Sequence, residues 1–257
     1  MVKQIDLNAD VGEGFGAYTI GFDQAVLQQV SSCNIACGLH AGDPMIMEQT
    51  IWLAHSCGVS VGAHPGFPDL AGFGRREMAL SPAEVRGYII YQLGALGAFA
   101  AAAGVRLQHV KPHGALYNMA AVDAKLAVAI AQGVAAVDDS LILVGLAGSE
   151  LIYAAGQAGL QAANEIFADR GYNCDGTLMS RKQPGAIIHD PQEAAERIVK
   201  ILLNGSLITQ QGSAFPVCAD TVCLHGDTPG AVEMAKAVRG ALLNAGIAIK
   251  PLTHIIK

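Results

Sequence analysis

Charge is scarce in this chain. Asp, Glu, Lys and Arg make up 15% of its 257 residues, and the formal net charge is −6. Nucleic acid and anionic membrane surfaces call for a basic face, so neither is expected as a partner. Long apolar runs are missing too, and none approaches the roughly 18 residues of a membrane span. The N-terminus MVKQIDLNAD turns charged within six residues, which does not fit a secretory signal. No G-x-x-x-x-G-K-[ST] phosphate loop and no H-E-x-x-H metal motif occurs. Six cysteines are present, but their spacing suits neither a disulfide framework nor a zinc cluster. Cys33, Cys37, Cys57, Cys218 and Cys223 sit in apolar surroundings and are expected as buried, reduced thiols of a cytoplasmic protein. The single tryptophan, Trp52, and the methionines read as packing groups.

What the chain has in quantity is aliphatic bulk. Hydrophobic residues reach 52%, and the mean hydropathy is +0.36. A chain of this size buries about 75% of its unfolded surface. The remaining apolar excess points to a partner chain or a homo-oligomer. No linker, repeat or low-complexity tract divides it, so residues 1–257 are expected as one domain.

Short β-rich runs alternate with helical patterns. Strands are predicted at Gln4–Asn8, Cys33–Cys37, Ser60–Ala63, Leu107–Lys111, Leu141–Gly145, Gln161–Ile166 and Thr221–Leu224, with an eighth at Ile247–Pro251. Helices are predicted at Phe22–Val30, Pro44–Cys57, Ser81–Ala103, Asp123–Val137, Ser149–Ala158, Asp190–Leu203 and Pro229–Ala245. Asp43-Pro44, Ser81-Pro82 with Glu84, and Asp190-Pro191 are N-cap signatures. Such alternation predicts a parallel sheet. Polar clusters follow strands one, two, three, four, six and seven. In a closed (β/α) barrel these positions meet at one end, where the active site lies. An open doubly wound sheet gathers its ligands near one switch point, so the spread favours closure. The expected fold is a distorted TIM-like barrel of about seven or eight parallel strands.

The clusters carry recognisable chemistry. Asn8, Asp10 and Glu13 follow the first strand, His40 and Asp43 the second, and His64 the third. Asp10, His40 and His64 suit either a metal site or an acid–base group. Lys111, His113 and Asn118 follow strand four. Lys111 suits a substrate oxyanion or carboxylate, or an ion pair with Asp10 or Glu165. Arg75, Arg170 and Arg181 suit fork-like recognition of an anion. Glu165 and Asp169 crowd the sixth strand end, and His225 with Asp227 repeats the His40/Asp43 pattern. His55, His109, His189 and His254 have no such context and read as ordinary residues. Gly12-x-Gly14-x-Gly16 resembles a phosphate loop only in its glycines.

The segments DLNADVGEGFG, NIACGLHAGDP, GAHPGFPD, GFGRR, VKPHGALYN, EIFADRGY and LHGD, taken in order, resemble the LamB/YcsF family, the A subunit of bacterial 5-oxoprolinase. The resemblance runs from Ile5 to about Pro251. It implies a distorted barrel akin to the polysaccharide-deacetylase barrels. It also implies ATP-dependent opening of 5-oxo-L-proline to L-glutamate, carried out with subunits B and C. On that footing Asp10, Glu13, His40, His64, Lys111 and His113 are assigned to catalysis. Asn8, Asp43, Arg75, Asn118, Glu165, Asp169, Arg170, Arg181, His225 and Asp227 are assigned to substrate binding. ATP is the implied cofactor, with its place left open, and a divalent metal is left as an open alternative. Two other readings stand beside this one: a metal-dependent deacetylase or amidase, and a non-catalytic subunit that only binds substrate.

Overall fold

Seven parallel strands close into a barrel in the computed structural model, which describes residues 3–224 and 230–256. In chain order they are β1 (Gln4–Val11), β2 (Ser32–Ala36), β3 (Ser60–His64), β4 (Leu107–Val110), β5 (Ile142–Leu146), β6 (Ala162–Phe167) and β9 (Thr221–Leu224). Each pairs with the next, and β9 closes the ring by pairing with β1. Between β6 and β9 the chain leaves the wall and forms a long loop, a helix and a small antiparallel hairpin, β7 (Ser206–Ile208) with β8 (Ala214–Pro216). The predicted eighth strand survives as β10 (Ala248–Ile249), two residues paired beside Gln4 and Ile5 outside the closed ring.

Helices α1 (Asp23–Leu27), α2 (Pro44–Ser56), α3 (Pro82–Ala102), α4 (Gly114–Ala120), α5 (Ala124–Val137), α6 (Glu150–Gln157), α7 (Pro191–Asn204) and α8 (Ala231–Asn244) follow the strands. Their starts obey local chemistry. Asp43 accepts hydrogen bonds from the Met45 and Ile46 amides, Asp190 from Gln192 and Glu193, and Ser81 forms a reciprocal capping box with Glu84. Helix α1 is shorter than expected, and α4 is additional to the expected set. No single helix among the described residues is long and apolar enough to cross a membrane.

The core lies between the outer face of the wall and the helices. Leu7, Ala9, Val11, Ile35 and Leu143 meet Ile51, Ile89, Leu93, Leu96 and Ile130 there, all fully buried. The foot of the barrel has a small core of its own, where Ile142, Val144 and Ala163 pack on Leu252 of a C-terminal turn. All six cysteines are free thiols. Cys33, Cys37 and Cys223 are buried as expected. Against expectation Cys218 is exposed and Cys57 half-buried: Cys218 lies on the connection between the hairpin and β9, and Cys57 sits at the C-terminal end of α2.

Candidate active site

Side chains alternate across a strand, so one face of β1 carries Leu7, Ala9 and Val11, and the other carries Asp6, Asn8 and Asp10. The second set points into the barrel. Strand β1 runs to Val11, so Asp10 lies within it and not on the following turn. The register aligns the inner layers. Asp10 sits beside Asn34, Asn34 beside Gly62, and Gly62 beside His109. Gly62 is required there, because a Cβ would overlap the His109 imidazole.

The interior is a connected polar network. At the foot, Asp6 accepts hydrogen bonds from Ser31 (2.7 Å), Ser32 (2.7 Å) and Thr221 (2.6 Å). Burial pushes its carboxyl up to about 6 despite those bonds. One layer higher, Asn8 Nδ2 donates to Glu165 Oε1 (2.9 Å) and Thr221 Oγ1 (2.7 Å). Asn34 Nδ2 donates to Asn8 Oδ1 (2.7 Å) and Asp10 Oδ1 (2.8 Å), and Asn34 Oδ1 accepts from His109 Nε2 (2.7 Å). Lys111 Nζ lies 3.0 Å from both Asp10 Oδ1 and Glu165 Oε1, and 2.9 Å from Cys223 Sγ. Burial works against the lysine charge. Asp10, Cys223 and Glu165 outweigh it and hold Lys111 well above its usual range. Burial keeps the Cys223 thiol protonated, so the countercharge is that of the two carboxylates. Both ion pairs foreseen for Lys111 are therefore made at once.

Above this network sit Glu13, His40, His64 and His113, all buried, with donor atoms within 4.8 Å of one another. His64 Nδ1 is 2.6 Å from the Lys111 carbonyl, and His113 Nε2 is 2.8 Å from the Phe73 carbonyl. A carbonyl only accepts, so both nitrogens carry hydrogen. The opposite nitrogens, His64 Nε2 and His113 Nδ1, face each other at 3.0 Å. Asp10 Oδ2 lies 3.4 Å from His64 Nε2. Glu13 Oε1 lies 3.5 Å from His113 Nδ1 and 3.8 Å from His40 Nε2. His40 stacks flat on His113 with ring centroids 3.8 Å apart. Burial, then the neighbouring imidazoles, hold His40 and His113 well below their ordinary range, so both rings are neutral. Gly66 abuts His40 so closely that a Cβ would lie 2.6 Å from Nδ1. Gln92 of α3 fixes that glycine by accepting from its amide and donating to its carbonyl, both at 2.9 Å.

A cavity of about 670 Å³ opens over the cluster. Asp10, Glu13, His64, Lys111 and His113 form its floor, and Arg75, Asn118, Arg170 and Arg181 line its walls. Arg170 is held by the Ala186 and Met179 carbonyls at 3.3 and 2.5 Å. Burial, helped by Arg181, draws it down to about 10, so it remains a cation at neutral pH. Tyr117 also lines the cavity, its phenol kept neutral by burial and by Glu165.

Other expected residues stand elsewhere. Asn8 and Glu165 lie beneath the cavity, in the network under Lys111. Asp43 caps α2 and accepts from the Gly16 amide (2.8 Å), so its carboxylate is committed to the backbone. The Gly12 amide is likewise held by Asp23 (2.9 Å), and two amides of that glycine loop are thus closed to a phosphate. Asp169 is buried beside Arg170 and Arg197, outside the cavity lining. His225 and Asp227 lie outside the described residues. Sequence reasoning missed Asn34, Gln92, Tyr117 and Cys223, and took His109 for an ordinary residue. The polar alternations Asp6/Asn8/Asp10 and His109/Lys111 carried the signal for the inner face.

The profile of the LamB/YcsF family matches residues 5–257. The chain belongs to the LamB/YcsF family. Among its LamB/YcsF relatives, a Bacillus subtilis (strain 168) protein named as the A subunit of 5-oxoprolinase is 54% identical, over 98% of both chains. A Heliobacterium modesticaldum protein of the same name is 57% identical over 96% of this chain and 97% of its own. The crystal structure of a lactam utilization protein from Thermus thermophilus superposes with a TM-score of 0.91 at 49% identity. The match covers 96% of this chain and 99% of that one.

Proposed function

We propose that this chain is the A subunit of an ATP-dependent 5-oxoprolinase and opens 5-oxo-L-proline to L-glutamate. The observation that carries the reading is full-length identity above half to relatives bearing that name, joined to a cavity that suits the substrate. The substrate is a small lactam with one carboxylate. Arg75, Arg170 and Arg181 bind that carboxylate from the walls. Lys111 is offset by two carboxylates, so it serves to hold Asp10 in place and to stabilise charge that develops on the carbonyl oxygen. Asp10 receives its hydrogen bonds from Lys111 and Asn34 on Oδ1, which turns Oδ2 toward the cavity floor. It acts as the base that takes a proton from water. Water oxygen adds to the lactam carbonyl carbon, the ring C–N bond breaks, and the nitrogen leaves protonated. ATP would be coupled through that carbonyl: its oxygen takes the γ-phosphoryl group as ADP leaves, which activates the carbon for the water, and the acyl phosphate left once the C–N bond breaks is hydrolysed by a second water to glutamate and phosphate.

The nucleotide is handled with groups from subunits B and C. The chain has no P-loop, and the glycine loop has committed two of its amides to Asp23 and Asp43. The chain works in the cytoplasm, where its six free thiols stay reduced. The test is reconstitution. Glutamate release should be near background with this chain alone and should need ATP and both partners. Full ATP-dependent turnover by this chain alone would refute the division of labour. No turnover in the complete mixture would refute the activity.

A further inference from the structure

The histidine cluster poses a bonding problem that the polar network beneath it does not solve. His64 and His113 each direct one ring N–H at a backbone carbonyl. Their other nitrogens face each other at 3.0 Å, where two neutral rings would set lone pair against lone pair. Asp10 Oδ2 and Glu13 Oε1 stand 3.4 and 3.5 Å from this pair and add negative charge. His40 is completely buried, and neither of its nitrogens has a hydrogen-bond partner. An unpaired buried polar group is expensive, and a cluster of acceptors is more so. Such an arrangement holds together around a cation.

We propose that Glu13, His40, His64 and His113 bind one divalent transition-metal ion of the zinc class at the cavity floor. The role of the ion rests on the function proposed above, but its binding does not. Three imidazoles and one carboxylate are a borderline donor set, suited to zinc, cobalt or iron(II) and unsuited to magnesium or calcium, which favour oxygen. The carbonyl held by each of two imidazoles is the outer partner that fixes tautomer and orientation in metal-bound histidines. Gly66, clamped by Gln92, keeps His40 pressed into the cluster from the far side. A single proton shared by His64 and His113 is the competing cation. It satisfies that pair and leaves both nitrogens of His40 with nothing. When bound, the ion supplies Lewis acidity toward a carbonyl oxygen or a water.

The test reads metal and needs neither partners nor ATP. The full chain is stripped with a chelator and titrated with Co²⁺, then with Zn²⁺. One equivalent of Co²⁺ per chain should give visible ligand-field absorption, Zn²⁺ should abolish it, and Mg²⁺ should do neither. The melting temperature should rise with Zn²⁺ concentration, as it does for any ligand that binds only the folded state. Glu13→Gln and His113→Ala should each weaken Zn²⁺ binding more than about 100-fold, beyond the loss typical of an outer partner. If His113→Ala fails to fold, the nearly isosteric Glu13→Gln carries the comparison. His55→Ala and His254→Ala, at exposed positions, should keep the stoichiometry. No saturable Co²⁺ signal, or binding unchanged in Glu13→Gln, would overturn the site and leave the proton as the cation. One bound Co²⁺ in a chain whose reconstituted complex lacks lactam-opening activity would support the site and overturn the proposed function.

Discussion

Strand β1 shows Leu7, Ala9 and Val11 to the helices and Asp6, Asn8 and Asp10 to the barrel interior, so the same eight residues border two unlike interiors. The outer one is aliphatic and its cohesion is non-directional, each fully buried large side chain contributing roughly 1.5–3 kcal/mol. Its members can be exchanged for others of similar volume at little cost. The inner one consists of groups that must each meet a partner of matching kind, because a stranded buried polar atom costs about 1–3 kcal/mol. Neighbours on β2 make the same point. Ile35 packs outward among hydrocarbons, while Asn34 links Asn8, Asp10 and His109. The outer layer tolerates change and gives stability. The inner layer resists change and gives position.

Breaking the inner layer at its centre should have the largest effect. Lys111→Met keeps the length and removes the charge, leaving Asp10 and Glu165 buried side by side. It should lower stability by about 3–5 kcal/mol in denaturant titrations and abolish turnover in the reconstituted complex. A variant of near-normal stability would show that the lysine serves the substrate more than the carboxylates. A matched change outside, Leu96→Ala, should lose about 2–5 kcal/mol. Its kcat/KM should stay unchanged well below the melting point, and a fall would show that the two layers are mechanically coupled.

Acidity separates the layers next. Asp6 has its pKa raised from 3.8 to about 6 by burial. Between those values the folded chain keeps a proton that the unfolded chain has released. Stability from this group is therefore fully present below about pH 4, falls as pH rises to about 6, and is level above. The total is on the order of 3 kcal/mol, at 1.36 kcal/mol for each of two units. Urea midpoints measured between pH 4 and 7 should show the fall, and Asp6→Asn should flatten it. Parallel profiles for the two proteins would assign the pH dependence to another group. The smallest effect is expected from Ile35→Val, about 0.5–1.5 kcal/mol with normal turnover, measured by the same titration. A larger loss there would mean that the outer layer specifies position as well.

The outer layer was the more legible one. Runs such as Cys33–Cys37 and Thr221–Leu224, with Asp43-Pro44 and Ser81-x-x-Glu84 as helix starts, are local signals, and the elements formed close to where these predict them. Closure followed from the spread of polar strand ends, and the barrel has seven strands in its ring. The inner layer was read only where a polar side chain stood at a strand end, as with Asp10, His64 and Lys111. Asn34 and His109 lie inside strands, Asn34 between Cys33 and Ile35, and their roles depend on which strand lies next to which. That adjacency is non-local, and so is the clamp of Gln92 on Gly66, made across 26 positions. Asp43 shows the opposite case. Its capping role was visible in the Asp-Pro pair, and its carboxylate accepts from the Met45, Ile46 and Gly16 amides.

The packed foot of the barrel has a bearing on traffic. Leu252 packs on Ile142, Val144 and Ala163 there, and Asp6, Ser32 and Thr221 of the foot layer have zero exposure, so solvent does not reach the interior from that layer. Among the described residues, the interior opens through the cavity at the other end. On the proposed function, a lactam arriving and a glutamate departing would share the passage under Arg75, Arg170 and Arg181, and each turnover would have to empty the room before the next begins. On that reading, anything that covers this opening would govern both admission and discharge.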